Sequence, residues 1–389
     1  MSDDHITEIS SQSWLSRLGG AIKGVFFGFS LFAISISLLF WNEGRAVERY
    51  KTLKEGSGLV QSIPNDRVNA AHQGDLVHLT GRAITDDTVK DSMFGIQTPA
   101  LKLQRRVEMY QWQESSTSNT RKKLGGGTET VTEYSYSKGW SSDTVSSSNF
   151  VESEGHQNPG VMPFKSQTYA AQPITVGAFT LSSSLVNKLN NYTRYRIDSA
   201  DLSQYPLARV YNGGIYVGNT PASPEIGDLR IEYYVALPAQ VSLIAAQYGS
   251  SFQPYHTESG GDIQMLRLGN LSADVMFDKA QSDNQIFTWI IRLVGILIMA
   301  LGIGLILWPI SVFADVIPFI GTILGVGAVL VAVLSAFMIS MITIAIAWLY
   351  YRPILAATLI IGALACVVLL RVRFKSLSKD MEIERSASA

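Results

Sequence analysis

Charge is what the last quarter of this chain has least of. Between Ile286 and Leu370 only Arg292, Asp315 and Arg352 carry a formal charge. A stretch this long and apolar excludes a soluble core, because only hydrocarbon accepts about 20 consecutive apolar residues without polar partners. Disulfide chemistry is missing too. The one cysteine, Cys366, lies inside the last apolar run, so no intramolecular bridge can form and the redox compartment stays open. Hydrocarbon also disfavours a thiolate, which makes Cys366 a poor nucleophile. Neither sign of charge dominates. Lys and Arg number 31 against 32 Asp and Glu, a net charge of −1 that gives no electrostatic reason to expect nucleic acid. There is no phosphate-binding glycine loop, no dinucleotide fingerprint, no G-x-S-x-G elbow and no H-E-x-x-H. The five histidines, His72, His78, His156 and His256 among them, lack metal-ligand spacing. The expectation is therefore a protein with no metal, no cofactor and no enzymatic activity.

What is present divides the chain in two. A second uncharged run, Gly24 to Trp41, ends in Asn42 and Glu43 and not in a small-residue cleavage site, so it reads as a retained anchor. Everything from Asn42 to Gln285 is polar and punctuated by turn residues, with enough length for a substantial core. The fold class expected is an integral membrane protein with four α-helical spans and a large β-rich, α+β extramembrane domain inserted between the first and second. The boundaries are a polar N-terminal tail over 1–17, the first span over 18–41 and the β-rich domain over 42–285. The second span follows at 286–308, then an interfacial turn over 309–318 and a long third span over 319–351. A fourth span occupies 354–370 and a basic tail 371–389. At 33 residues the third run exceeds what one crossing needs, which predicts tilt or a break. Gly24 and Gly28 stand at a spacing that lets helices approach closely, and Gly321, Gly325 and Gly327 predict the same at the start of the third span.

Within the middle domain the dominant period is two. Leu101, Leu103, Val107 and Met109 alternate with Gln104, Arg106, Glu108, Tyr110, Trp112 and Glu114, the pattern of a strand with one buried and one polar aromatic face. Arg105 interrupts the buried side. Further strands are predicted at 76–79, 131–136, 207–217, 229–235 and 241–248, and short helices at 183–189 and 273–280. The segment Ser115 to Thr128, with Arg121, Lys122, Lys123 and three glycines, predicts a long flexible hairpin tip. The helix after Trp41 is expected to continue out of the bilayer to Glu55.

Two groups of residues are candidate sites. Tyr110, Trp112, Tyr134, Tyr136 and Trp140 would supply contact area of the kind protein interfaces use. Arg292 and Asp315 are the candidate intramembrane polar site, since a charge at membrane depth either snorkels, faces a polar cavity or pairs. Arg17 and Lys23 together with Arg371, Arg373, Lys375 and Lys379 place both termini in the cytoplasm, with the domain lumenal or periplasmic. Arg45, Arg49, Lys51 and Lys54 argue the other way, but charges leading a long translocated domain bear less on orientation.

Several of these stretches also resemble a known family. Asn42, Glu43, Gly44 and Arg45, then Gly95, Pro99, Ala100, Lys102 and Leu103, and the run Val107, Glu108, Met109, Tyr110, Gln111, Trp112 are similar to the LUMA family, that of transmembrane protein 43. Tyr134, Tyr136, Asn149, Phe150, Gly155, His156, Asn158 and Pro159 continue the likeness. So do Pro224, Glu225 and Gly227 to Arg230, then Trp348, Leu349, Tyr351, Arg352 and Pro353. The polar N-terminus and the hairpin tip depart most from the family, which points to a divergent or prokaryotic member. The resemblance implies four spans and a lumenal or external domain. It also implies a multi-pass scaffold that organises protein complexes in the endoplasmic reticulum and inner nuclear membrane, with emerin and lamins as animal partners. No catalytic residue comes with the family. A prokaryotic member would sit in the cytoplasmic membrane and lack the nuclear partners. The partners expected here are membrane lipids, proteins bound through the large domain and a second copy of the chain. A transport or channel-modulating role is the alternative, with a lipid-metabolising enzyme the weakest reading.

Overall fold

Helix α1 (Trp14–Leu59) runs unbroken from the first apolar stretch through the charged segment after Trp41. The computed structural model that shows this describes residues 5–316, 318–354, 357, 358 and 361, with the side chains of 317–322 outside that set. In chain order the strands are β1 (His5–Gln12), β2 (Gln61–Ser62), β3 (Leu76–Ile84), β4 (Val89–Asp91), β5 (Ile96–Thr98), β6 (Lys102–Lys122) and β7 (Thr128–Ser141). They continue with β8 (Gln167–Ala170), β9 (Thr175–Val176), β10 (Phe179–Thr180), β11 (Tyr192–Tyr195), β12 (Ala208–Tyr211) and β13 (Gly214–Val217). The last are β14 (Leu229–Ala236), β15 (Ala239–Tyr248), β16 (Ser251–Gln253), β17 (Tyr255–His256), β18 (Asp262–Ile263) and β19 (Met265–Leu268). The other helices are α2 (Ser183–Asn187), α3 (Ala273–Ala314) and α4 (Pro318–Tyr351). The chain forms two units. The first comprises residues 5–12, 51–122 and 128–281; the second comprises 13–50, 123–127 and the described residues from 282 onward.

The first unit is built on two sheets. An eight-stranded sheet runs β1-β7-β6-β14-β13-β12, with β11 on β14 and β8 on β6. A seven-stranded sheet runs β10-β9-β3-β15-β16, with β19 on β15 and β2 on β3. Only Leu237 and Pro238 separate β14 from β15, so one sheet passes directly into the other. Leu103, Val107, Met109, Ile231 and Val235 of the first sheet share a core with Val77, Leu79, Val241 and Leu243 of the second. This is the alternation read from the sequence, now with its partner surface. The strands predicted at 207–217 form a hairpin, β12 to β13, around Asn212 and Gly213, whose φ values of 51° and 74° suit a tight turn between twisted strands.

Two expectations for this unit need correction. Residues 5–12 are not a loose polar tail but strand β1, paired antiparallel with β7 from His5 opposite Ser135 to Gln12 opposite Thr128. Likewise β6 and β7 continue in register to Lys122 and Thr128, leaving only 123–127 as the turn. The sequence there is polar, yet Ser and Thr side chains pair across the strands. Ser115 meets Ser135 at 2.7 Å, Ser118 meets Thr132 at 3.0 Å and Thr120 meets Thr130 at 2.9 Å. Such cross-strand pairs favour extended structure without any hydrophobic period to announce it.

In the second unit α1, α3 and α4 are each long and apolar enough to cross a membrane. Most of the fourth expected span, 354–370, lies outside the described residues. Trp289 and Trp308 on α3 are separated by roughly 28 Å of helix, which matches a hydrocarbon core of about 30 Å. Tryptophan favours the two membrane boundaries, so this spacing marks the crossing. Gly28 and Gly302 meet back to back. A Cβ on Gly28 would lie 2.7 Å from the Gly302 carbonyl oxygen, and one on Gly302 would lie 2.9 Å from that of Gly28. Backbones approach so closely only where the side chain is a hydrogen. On α4 the expectation fails for Gly327, which has open space beside it, while Gly325 makes only ordinary contact with Ser311. The expected turn at 309–318 is also shorter. Pro309 sits inside α3, which continues to Ala314, because neighbouring helices tolerate a proline in a membrane helix. From Pro318 to Tyr351 α4 is one helix, without the break its length suggested.

Candidate interaction face

Strands β6 and β7 carry the predicted aromatic residues on one side. Their register sets Tyr110 opposite Trp140, Trp112 opposite Lys138, Glu114 opposite Tyr136 and Ser116 opposite Tyr134. Directly opposed residues share a face, so all five aromatics point away from the Leu103, Val107 and Met109 core. They do not form one patch. Tyr110 and Trp140 pack at 5.2 Å between ring centres and Trp140 meets Tyr216 at 6.3 Å. Arg230 lies 4.7 Å over the Trp140 ring and Lys138 lies 4.5 Å over Trp112. All of these aromatics except Tyr216 are half-buried.

Tyr136 is different, because it is buried beneath His156. Their rings stack at 3.9 Å, His156 also meets the Trp112 ring edge-on at 4.6 Å, and the Tyr136 hydroxyl donates to Glu114 at 2.7 Å. Burial and the Glu114 carboxylate raise the Tyr136 phenol above its ordinary pKa. Tyr134 stands apart from both groups, with its hydroxyl on Glu8 of β1 at 3.2 Å. The accessible candidate surface therefore centres on Tyr110, Trp140 and Trp112. It extends into charged residues outside the five predicted aromatics: Glu108 paired with Arg230, Arg194 with Glu232 at 2.8 Å, and Arg106 stacked 4.3 Å over Tyr234. The alternation already put Arg106 and Glu108 on this face, and the same period in β14 sets Arg230 and Glu232 opposite them.

Asn158 holds the edge of this face. The backbone N–H of Tyr110 donates to Asp228 and that of Gly227 to Tyr110, at 2.8 and 2.9 Å. Two residues on, Trp112 N–H donates to the Asn158 side-chain oxygen at 2.7 Å and the Asn158 amide donates back to the Trp112 carbonyl at 2.9 Å. One side chain thus extends the ladder where β14 ends.

In the helical unit the structure separates the two charges proposed as one polar site. Arg292 is paired with Glu43, its Nε and Nη2 donating to the two carboxylate oxygens at 2.7 and 2.8 Å. The Trp348 indole donates to the same carboxylate at 2.8 Å, and Glu43 is fully buried. Asp315 instead pairs with Arg17, which also donates to the Gly126 carbonyl. The reason is helix geometry: Arg292 is roughly 33 Å along α3 from Ala314, the residue before Asp315. Beside Glu43, Asn42 donates to the Thr288 carbonyl at 3.1 Å, and Arg45 donates to Asn284 at 3.0 Å and to the Thr288 hydroxyl at 2.9 Å. Gly44 leaves room for the Tyr351 ring, which a Cβ would meet at 2.6 Å. Two motifs some 300 residues apart in sequence, Asn42 to Arg45 and Trp348 to Tyr351, close on one another here.

The remaining histidines have structural partners. His72 lies 3.3 Å from Asp75, and His256 pairs with Asp262. His78 is buried, with Nε2 at 2.9 Å from the Leu271 carbonyl and Nδ1 at 3.1 Å from the Ser62 hydroxyl. Desolvation lowers its pKa, only partly offset by Leu271. A depressed imidazole pKa means that the unfolded state binds the proton more readily, so its stabilisation is complete above about pH 6.5 and is lost as pH falls. Melting the purified protein at pH 7.5 and 5.5 should show lower stability at 5.5, and a smaller difference in His78→Gln.

Apolar helices with boundary tryptophans and a two-sheet polar unit define an integral membrane protein with a large β-rich region. The description of transmembrane protein 43 matches residues 109–353, and the chain belongs to that family. It is 34% identical to transmembrane protein 43 of Rattus norvegicus over 97% of this chain and 96% of the rat protein. Identity to the Homo sapiens protein is 33%, over 96% and 95% respectively. A homolog from Drosophila melanogaster is 28% identical over 86% of this chain and 91% of its own length. No solved structure matches the chain.

Proposed function

We propose that this protein is a non-catalytic membrane scaffold whose β-rich unit faces the lumen or the outside and recruits protein partners, a second copy among them. The observation that carries the reading is the half-buried face of Tyr110, Trp112 and Trp140 interleaved with Arg230, Lys138 and Glu108. Aromatic and arginine side chains supply most of the binding energy at interfaces, and their charged neighbours set specificity and encounter rate. A transport role would draw on Arg292 and Asp315. Each is already neutralised, by Glu43 and Arg17, which favours the scaffold.

Crosslinking in native membranes followed by mass spectrometry tests this. Tyr110→Ala with Trp140→Ala should lose a stoichiometric partner, with binding weakened by about 2 kcal/mol or more, while the melting curve stays cooperative. Complexes unchanged in the double variant would remove this face from consideration.

A further inference from the structure

Two Asn-x-Ser/Thr triplets lie in the β-rich unit, Asn191-Tyr192-Thr193 and Asn270-Leu271-Ser272. This triplet is the acceptor for N-linked glycan, provided that it is lumenal and that the folded chain leaves the asparagine in water. We propose that Asn270 is an N-glycosylation site and that Asn191 is not. The inference rests on the lumenal orientation proposed above.

The two asparagines differ in their surroundings. Asn191 directly precedes β11, where Tyr192 and Thr193 are paired with Ala236 and Val235 of β14. Its amide donates to the Leu237 carbonyl at 3.1 Å, and its Oδ1 is buried with no hydrogen-bond partner among the described residues. A glycan on that nitrogen would push the whole side chain out of its site.

Asn270 is exposed, in the irregular stretch between β19 and α3. The backbone on either side is fixed without using the Asn270 side chain. Gly269 takes a φ of +96° and donates to the Gln240 carbonyl at 2.7 Å, while Leu271 N–H donates to Ser242 at 2.8 Å. The folded chain therefore presents a short tether with its asparagine facing water, and Ser272 is exposed as well. Asn270 precedes Ile286, where the apolar run begins, by 16 residues. It follows β19 in the seven-stranded sheet, and the aromatic face belongs to the other sheet.

The co-reactant is a polyprenyl-pyrophosphate-linked oligosaccharide. The Asn270 amide nitrogen attacks C1 of the first sugar and the N–C1 bond forms as the C1–O bond to pyrophosphate breaks. The amide proton passes to a base of the transferase and the polyprenyl pyrophosphate leaves, with no change of oxidation state.

The test is expression of the full chain in mammalian cells, followed by electrophoresis with and without peptide N-glycosidase. The wild type should run one glycan heavier than the enzyme-treated form, Asn191→Gln should do the same, and Asn270→Gln should lose the shift. Retention of the shift in Asn270→Gln would overturn the assignment. Val151→Asn in the Asn270→Gln background supplies an orientation control, because it makes a triplet with Glu152 and Ser153 at an exposed position. A wild type without glycan beside a modified control would overturn the proposal and leave the orientation standing. No glycan on either would mean that the unit faces the cytoplasm, and both readings would fall together.

Discussion

Glu43→Gln should destabilise the helical unit by about 3–5 kcal/mol, the range for breaking a buried ion pair from one side. The Glu43 carboxylate has no exposure and serves both Arg292 and the Trp348 indole. Without it a guanidinium just inside the Trp289 boundary loses its counter-charge, and two aromatic rings are the nearest substitutes. The cost should show as an earlier loss of monodisperse protein on heating in detergent. Glu43→Gln combined with Arg292→Gln should recover part of the loss, and the double-mutant cycle measures the coupling. A single variant within about 0.5 kcal/mol of wild type would mean that Arg292 reaches water by snorkelling and that the pair contributes little.

Asp91→Ala should cost the β-rich unit a similar amount, about 3–5 kcal/mol. Asp91 is fully buried and accepts from Arg105 at 2.6 and 2.8 Å, from the Tyr169 and Tyr233 hydroxyls at 3.0 and 2.8 Å, and from the Met93 N–H at 3.1 Å. Burial and this same carboxylate raise the pKa of the Tyr233 phenol. Deleting the carboxylate strands a buried cation and two phenols at once. Asp91→Leu with Arg105→Met removes both charges and should be far milder, because a buried pair recovers little more than its desolvation penalty. Melting followed by tryptophan fluorescence decides between the two outcomes. Equal losses in the single and double variants would show that the phenols and not the charges hold the site together.

Arg105 shows how far the sequence could be read. Its position on the buried side of β6 was visible from the alternation of Leu103, Val107 and Met109. Its partner was not, because Asp91 lies on a three-residue strand too short to carry a period. The same limit explains β1 and the polar half of the β6–β7 hairpin, which are held by serine and threonine pairs and backbone hydrogen bonds that leave no hydrophobic pattern. The apolar helices were legible from length alone, whereas their ion pairs depend on which helix faces which. Arg292 lies on α3 and Asp315 directly follows the end of that helix, so each had to find its counter-charge elsewhere. The β6–β7 register puts all five aromatics on one side of the hairpin, but the burial of Tyr136 depends on His156, which arrives from a loop with no regular period.

Asn158 carries a consequence beyond local pairing. An exposed strand edge is a template for another chain, and proteins that crowd a membrane surface meet each other's edges often. By occupying both backbone groups of Trp112, the Asn158 amide acts as a stopper at the point where β14 runs out. With the edge sealed there, a chain approaching this position would meet side chains, which discriminate, and not an open backbone, which any strand can match.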